Sequence, residues 1–181
     1  MDKKQIFKIL EIPKDIGLDI KDSEITIKHA GREITKKFKL EGIAIVKNND
    51  LIEVKSNKAN RMKAKMIGSI IAHIKNMIKG VKEDFVYRLE ICNVHFPMTV
   101  KIEGDNLIIK NFLGETIDRK ANIVKNTKVS VKGNEILVSS FDREATGQTA
   151  ANIEMATKIR FKDRRVFQDG IFLTERCGRK I

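Results

Sequence analysis

The chain has 181 residues, 41% of them hydrophobic and 33% charged, with a formal net charge of +12 and a pI near 9.7. The apolar share is enough for packed cores and excludes wholesale disorder. The charge points to a polyanionic partner, nucleic acid before an anionic membrane surface. The first ten residues hold no apolar run of signal-peptide length. The most apolar window, residues 66–78, is broken by His73, Lys75 and Asn76 and is too short to span a bilayer.

In chain order, Ile12-Pro13 reads as an extended lead-in. Ile25 and Ile27 alternate with Thr26 and Lys28, the period of a half-buried strand. Gly31 marks a turn, after which Ile34, Phe38 and Leu40 continue the alternation, and a further apolar run covers residues 43–46. Asn48-Asn49-Asp50 has turn chemistry, because Asn and Asp tolerate positive φ and bond their own backbone. Residues 51–55 alternate again, so antiparallel hairpins are the economical reading.

The period changes at residues 58–79. Met66, Ile67, Ile70, Ile71, Ile74, Ile78 and Val81 keep three- and four-residue spacing. This predicts an amphipathic helix about 33 Å long with an apolar stripe facing a sheet. Ser56 or Asn57 would cap its start, and Gly80 would end it as a C′ residue. Lys82-Glu83-Asp84 reads as a linker. Strand signals resume at residues 85–92, 98–102, 107–110, 121–124, 129–131 and 136–138, and a second helix follows over about 142–155.

The halves repeat. Ser23-Glu24-Ile25-Thr26-Ile27-Lys28 aligns with Asp105-Asn106-Leu107-Ile108-Ile109-Lys110. Asp50-Leu51-Ile52-Glu53-Val54-Lys55-Ser56 aligns with Asn134-Glu135-Ile136-Leu137-Val138-Ser139-Ser140, and a helix follows each. The expected fold is α+β: two tandem copies of a small antiparallel-sheet-plus-one-helix domain, at residues 1–81 and 82–181. The second copy carries a basic extension at 157–181.

That last stretch interleaves Phe161, Val166, Phe167, Ile171, Phe172 and Leu173 with a basic set. The set is Lys158, Arg160, Lys162, Arg164, Arg165, Arg176, Arg179 and Lys180. A solvated tail has no use for the apolar residues, so the segment reads as pinned to its domain with cations facing a polyanion. Gly170, in Asp-Gly, is placed at a positive-φ turn outside the repeat core, aiming the arginines. The chain has no Trp and one Tyr, so base stacking has few carriers and contacts to phosphate and nucleic-acid shape are expected.

Catalytic chemistry finds no support. His29, His73 and His95 have no partners at metal or dyad spacing, and no P-loop or Gly-x-Ser-x-Gly occurs. Carboxylates clustered for two metal ions, which a nuclease would need, are missing. A membrane-surface role for the helix at 58–79 would need a Leu/Trp/Phe-rich face, which it lacks. Cys92 and Cys177 lack Cys or His neighbours at ligand spacing and are expected as buried free thiols in a reducing compartment. No cofactor, metal, membrane or small-molecule substrate is expected.

Three strings carry a resemblance: Val94-His95-Phe96-Pro97-Met98, Lys110-Asn111-Phe112-Leu113-Gly114-Glu115, and the run from Phe161 to Phe172 with its basic–aromatic–Asp-Gly-Ile order. With the two-fold repeat, the chain resembles the large-subunit ribosomal protein family called L-six, in its archaeal and eukaryotic branch. The resemblance implies two tandem α/β domains of one topology and a non-catalytic, cytoplasmic protein. It implies binding to large-subunit rRNA near the base of the factor-binding stalk, beside other large-subunit proteins. It places the RNA contact in the second domain and its tail, here Lys158 to Gly170 and the basic end. Phe172 stands where many relatives carry Tyr, so no hydroxyl contact is expected there.

Overall fold

The computed structural model describes residues 5–13, 15–48, 51–57, 60–163 and 165–181. Asn49 and Asp50 of the expected turn, Lys58 of the expected helix and Arg164 of the basic set lie outside them. The chain separates into two compact units between Glu83 and Asp84.

Unit 1 contains β1 (Ile6–Glu11), β2 (Gly17–Lys21), β3 (Glu24–His29), β4 (Arg32–Lys37), β5 (Ala44–Asn48), β6 (Leu51–Ser56) and α1 (Arg61–Lys82). Its strands form two antiparallel sheets, in the orders β1-β6-β5 and β2-β3-β4. Ile25, Ile27, Ile52 and Val54 from the sheets are buried with Ile67, Ile70, Ile71, Ile74, Met77 and Val81 of α1. Each such side chain withdrawn from water contributes about 1.5–3 kcal/mol.

Unit 2 contains β7 (Phe85–Cys92), β8 (Thr99–Glu103), β9 (Asn106–Lys110), β10 (Arg119–Asn122), β11 (Lys128–Lys132), β12 (Glu135–Ser140), α2 (Arg143–Ala156), β13 (Gly170–Arg176) and β14 (Arg179–Lys180). The sheets run β10-β9-β8 and β11-β12-β7-β13-β14. The core joins Leu89, Leu107, Ile109, Phe112, Ile136, Val138, Ile153 and Ile171.

The strand orders superimpose: β1-β6-β5 on β7-β12-β11, and β2-β3-β4 on β8-β9-β10. One local detail repeats as well. Ser56 Oγ donates to Gly42 O at 2.8 Å, and Ser140 Oγ to Asn126 O at 2.7 Å. Both acceptors have positive φ, 66° and 63°. The chain is therefore α+β with two tandem sheet-and-helix units, as the repeat implies.

Four expectations are corrected. First, β1 forms ahead of Ile12-Pro13, where no strand was expected. Second, α1 lies three residues further on than the spacing suggested. Asn60 caps it, its side chain accepting from Lys63 N at 2.7 Å, and neither Ser56 nor Asn57 does. Gly80 does not end the helix but is buried inside it, and Lys79 and Lys82 occupy the last turn, where they suit its negative end. Third, Cys177 is exposed rather than buried, and Cys92 is partly buried; both are free thiols. Fourth, the last 25 residues are not an appendage outside the core. Strand β13 pairs with β7 in register from Gly170↔Cys92, and Ile171 is fully buried.

Candidate nucleic-acid interface

Between α2 and β13 the chain makes a loop, residues 157–169, whose two ends are fastened by buried polar groups. At the near end Thr157, 3% exposed, accepts from Ile171 N at 2.9 Å and donates to Glu154 O at 3.2 Å. At the far end Asp169 is 1% exposed. Its carboxylate accepts from Val94 N (2.8 Å), His95 N (2.9 Å) and His95 Nδ1 (2.6 Å). An ionised carboxylate only accepts, so Nδ1 carries the proton of that last bond. Burial alone would raise the Asp169 pKa; the hydrogen bonds from His95 and Val94 outweigh it and bring the value down to about 2. The His95 ring stacks on Phe167 with centroids 4.9 Å apart, and Lys162 Nζ lies 4.5 Å from the Phe167 centroid.

A third fastening comes from Arg119 of β10. Its Nη1 donates to Ala156 O at 2.9 Å and reaches Lys158 O at 3.4 Å. Its Nε and Nη2 are held by Glu115 at 2.7 and 2.6 Å. The guanidinium lies 4.3 Å from the Phe112 centroid. The Arg119 hydrogen bond holds the Glu115 carboxyl below its usual range, ahead of the opposing effect of burial.

These anchors leave the cations outside. Lys158, Arg160, Lys162 and Arg165 are exposed. Lys158, Arg160 and Lys162 line a groove of about 540 Å3 with Arg119, Lys120 and Phe161. Phe161 has φ of 59° and is fully exposed. A second concavity of about 780 Å3, on the α2 side, is lined by Met155, Lys158, Ile159, Arg165 and Phe167 among others. Arg165 is committed: its guanidinium bonds Asp163 at 2.9 and 3.2 Å, and its own N–H bonds the same carboxylate. That pairing lowers the Asp163 pKa and engages the Arg165 guanidinium within the loop. Arg176, Arg179 and Lys180 are exposed on the β13-β14 hairpin. Cys177 (φ 50°) and Gly178 (φ 81°) form its two-residue turn, the positive-φ pair that matches strand twist.

Of the residues expected from sequence, the structure brings Lys158, Arg160 and Lys162 to one groove and puts Arg176, Arg179 and Lys180 on a separate hairpin. Gly170 opens β13 rather than sitting in a loop turn; its φ is positive as expected, at 157°, a value L side chains rarely adopt, and a Cβ there would lie 3.0 Å from the Phe172 ring. Sequence reasoning missed Arg119 and Lys120, which come from another strand. The string Lys110 to Glu115 lies just before them, but nothing in it reports that the chain folds back onto residue 158. Among the described residues there is no group of His, Cys, Asp and Glu able to hold a metal, and no helix is long and apolar enough to cross a membrane.

Comparison with known proteins adds lineage to this geometry. The family model described as "Ribosomal protein L6" matches residues 96–170, which span the loop. The "Large ribosomal subunit protein uL6" of Methanococcus vannielii is 41% identical over 172 residues, 95% of this chain and 94% of its own length. The protein of the same name from Methanosphaera stadtmanae is 44% identical, over 94% of each chain. That of Sulfurisphaera tokodaii is 44% identical over 93% of this chain and 91% of its own.

Proposed function

The chain belongs to the ribosomal protein L6 family, in its archaeal branch, and from that membership we propose that it binds large-subunit rRNA through its second domain, near the base of the factor-binding stalk. As a member it is a structural, non-enzymatic constituent of the large ribosomal subunit and works in the cytoplasm, where ribosomes are. The domain that carries the RNA contact is residues 82–181, and the contacting set is Lys158, Arg160, Lys162, Arg176, Arg179 and Lys180, with Lys120 added by the groove that Arg119 holds in place.

One observation carries the reading: the loop at 157–169 spends its buried polar groups on internal bonds and turns its ammonium and guanidinium groups outward. A loop backbone already held in place lowers the ordering cost when its cations meet phosphate, and each contact releases condensed counterions. With one fully exposed ring, Phe161, recognition is of phosphate and RNA shape more than of bases.

The test has two arms. Replacing Lys158, Arg160 and Lys162 by Ala should flatten the plot of log K against log salt by roughly 0.7 to 0.9 per lost phosphate contact. An unchanged slope would remove the groove from the interface. For the location, an iron chelate tethered to exposed Cys177, in a Cys92→Ser background, should cleave rRNA at the stalk base by hydroxyl radical. Cleavage confined to distant rRNA would refute the placement while leaving rRNA binding intact.

A further inference from the structure

The two units share one sheet topology, so every outward position of β1-β6-β5 has a counterpart in β7-β12-β11. The ladders fix the correspondence. Leu10 pairs with Ile52 and Lys8 with Val54; Leu89 pairs with Ile136 and Tyr87 with Val138. Phe7 therefore stands where Val86 does, Ile9 where Arg88 does and Glu11 where Glu90 does. By the same registers Ala44 and Val46 of β5 occupy the places of Lys128 and Ser130, and Leu51 that of Glu135.

The outer face of unit 2 is what a solvated sheet face requires. Arg88 bridges Glu135 and Glu175, each at 3.3 Å, with Glu90, Lys128, Ser130 and Lys132 around them; Val86, 38% exposed, and half-buried Leu137 are the apolar residues that β7 and β12 add to it. The same face of unit 1 is built the other way. Phe7 is 59% and Ile9 55% exposed, with Leu51 at 38% beside them, and Ala44 and Val46 extend the patch. The fold does not demand a ring and a large aliphatic side chain at these two places, because the other copy carries Val86 and Arg88 there. An apolar patch maintained on an exposed sheet face marks a surface that another body covers.

The edges differ in the same sense. In unit 2 the outer edge of β7 is filled by β13, running antiparallel. In unit 1, among the described residues, β1 is the edge strand and nothing pairs on its far side. A strand edge beside exposed Phe and Ile is a template for another strand. RNA is a poor occupant, since among the described residues the face carries the carboxylates of Glu11 and Glu53 against the ammonium of Lys55.

We infer that β1 and the apolar outer face of unit 1 receive an extended segment of a neighbouring large-subunit protein, added to β1 as β13 is added to β7. The segment supplies main-chain groups to the free edge of β1 and alternate apolar side chains against Phe7 and Ile9. This inference rests on the ribosomal reading above, and it divides the labour: unit 2 holds RNA and unit 1 holds protein.

The test uses the full chain assembled into large subunits. A photo-crosslinker introduced as Phe7→p-benzoylphenylalanine should join the chain to one other ribosomal protein, in a product that survives ribonuclease. The pair Ile9→Arg and Val46→Ser installs the residues that unit 2 carries at those positions. It should leave the thermal melt and rRNA affinity unchanged and reduce the crosslink at least tenfold. A crosslink to rRNA, a crosslink to a second copy of this chain, or no crosslink overturns the inference. So does a large fall in melting temperature for the pair, which would make the patch part of unit 1's own packing. A chain that never enters large subunits sinks the ribosomal reading as well; one that enters them without a protein crosslink sinks this inference alone.

Discussion

Asp169 is the most informative residue to perturb, because its three hydrogen bonds close the loop that displays the cations. In the folded chain its pKa is about 2, against an ordinary 3.8. At about 1.36 kcal/mol per pH unit, that difference corresponds to about 2.4 kcal/mol of stability. The sign follows from the direction. A depressed folded-state pKa means the contribution is fully present above about pH 4 and is lost as pH falls through 2. Asp169→Asn keeps an acceptor for the backbone N–H groups of Val94 and His95 but removes the charge. It should cost about 2 kcal/mol at pH 6, and the gap to wild type should shrink below about 0.5 kcal/mol near pH 2. Asp169→Ala also strands two inward N–H groups and should cost about 1–3 kcal/mol more. Urea unfolding of the full chain between pH 2 and 6 measures both. A wild-type-to-Asn gap that stays constant over that range would refute the reasoning, because the carboxylate's charge would then not be what holds the loop.

Three further outcomes follow from packing. Gly170→Val places a side chain against the Phe172 ring at the start of a strand inside the sheet, so overpacking should destabilise the chain by about 1–3 kcal/mol. Phe172→Leu in the same background should restore part of the loss, as thermal melts would show. Arg119→Ala should raise amide hydrogen exchange across residues 157–163 with little change in β11 or β12, since Arg119 is tied to Ala156 and Lys158; uniform exchange across unit 2 would deny it the clamping role. Exposed Cys177 should react with iodoacetamide faster than Cys92, whose thiol pKa is pushed up by burial first and by Glu90 and Asp169 next. Mass spectrometry of the modified peptides decides that order.

What the sequence disclosed, and what it hid, follows from where each signal resides. The repeat was legible because β3 and β9, and β6 and β12, carry inward apolar residues at alternate positions in both copies. The basic stretch was legible as composition. Its architecture was not, because Arg119 meets Ala156 and Lys158, and Asp169 meets His95, only through folding of strings that are far apart. The helix boundaries were displaced because Ser56, Asn57 and Asn60 all have capping chemistry and only packing selects among them. Gly80 looked like a helix end, yet it lies buried within α1.

Strand β1 escaped for a more telling reason. Ile6-Phe7-Lys8-Ile9-Leu10 has no two-residue period, since Ile6 and Leu10 face α1 while Phe7 and Ile9 face outward. A strand with one solvated face shows alternation, and β7 shows it from Tyr87 to Ile91. Loss of alternation in one copy of a duplicated sheet means that both faces of that copy favour apolar side chains. The feature that concealed β1 from a periodic reading is therefore the feature that argues for a partner on it. An Ile9→Arg, Val46→Ser chain that kept its full protein crosslink in assembled large subunits would break that connection.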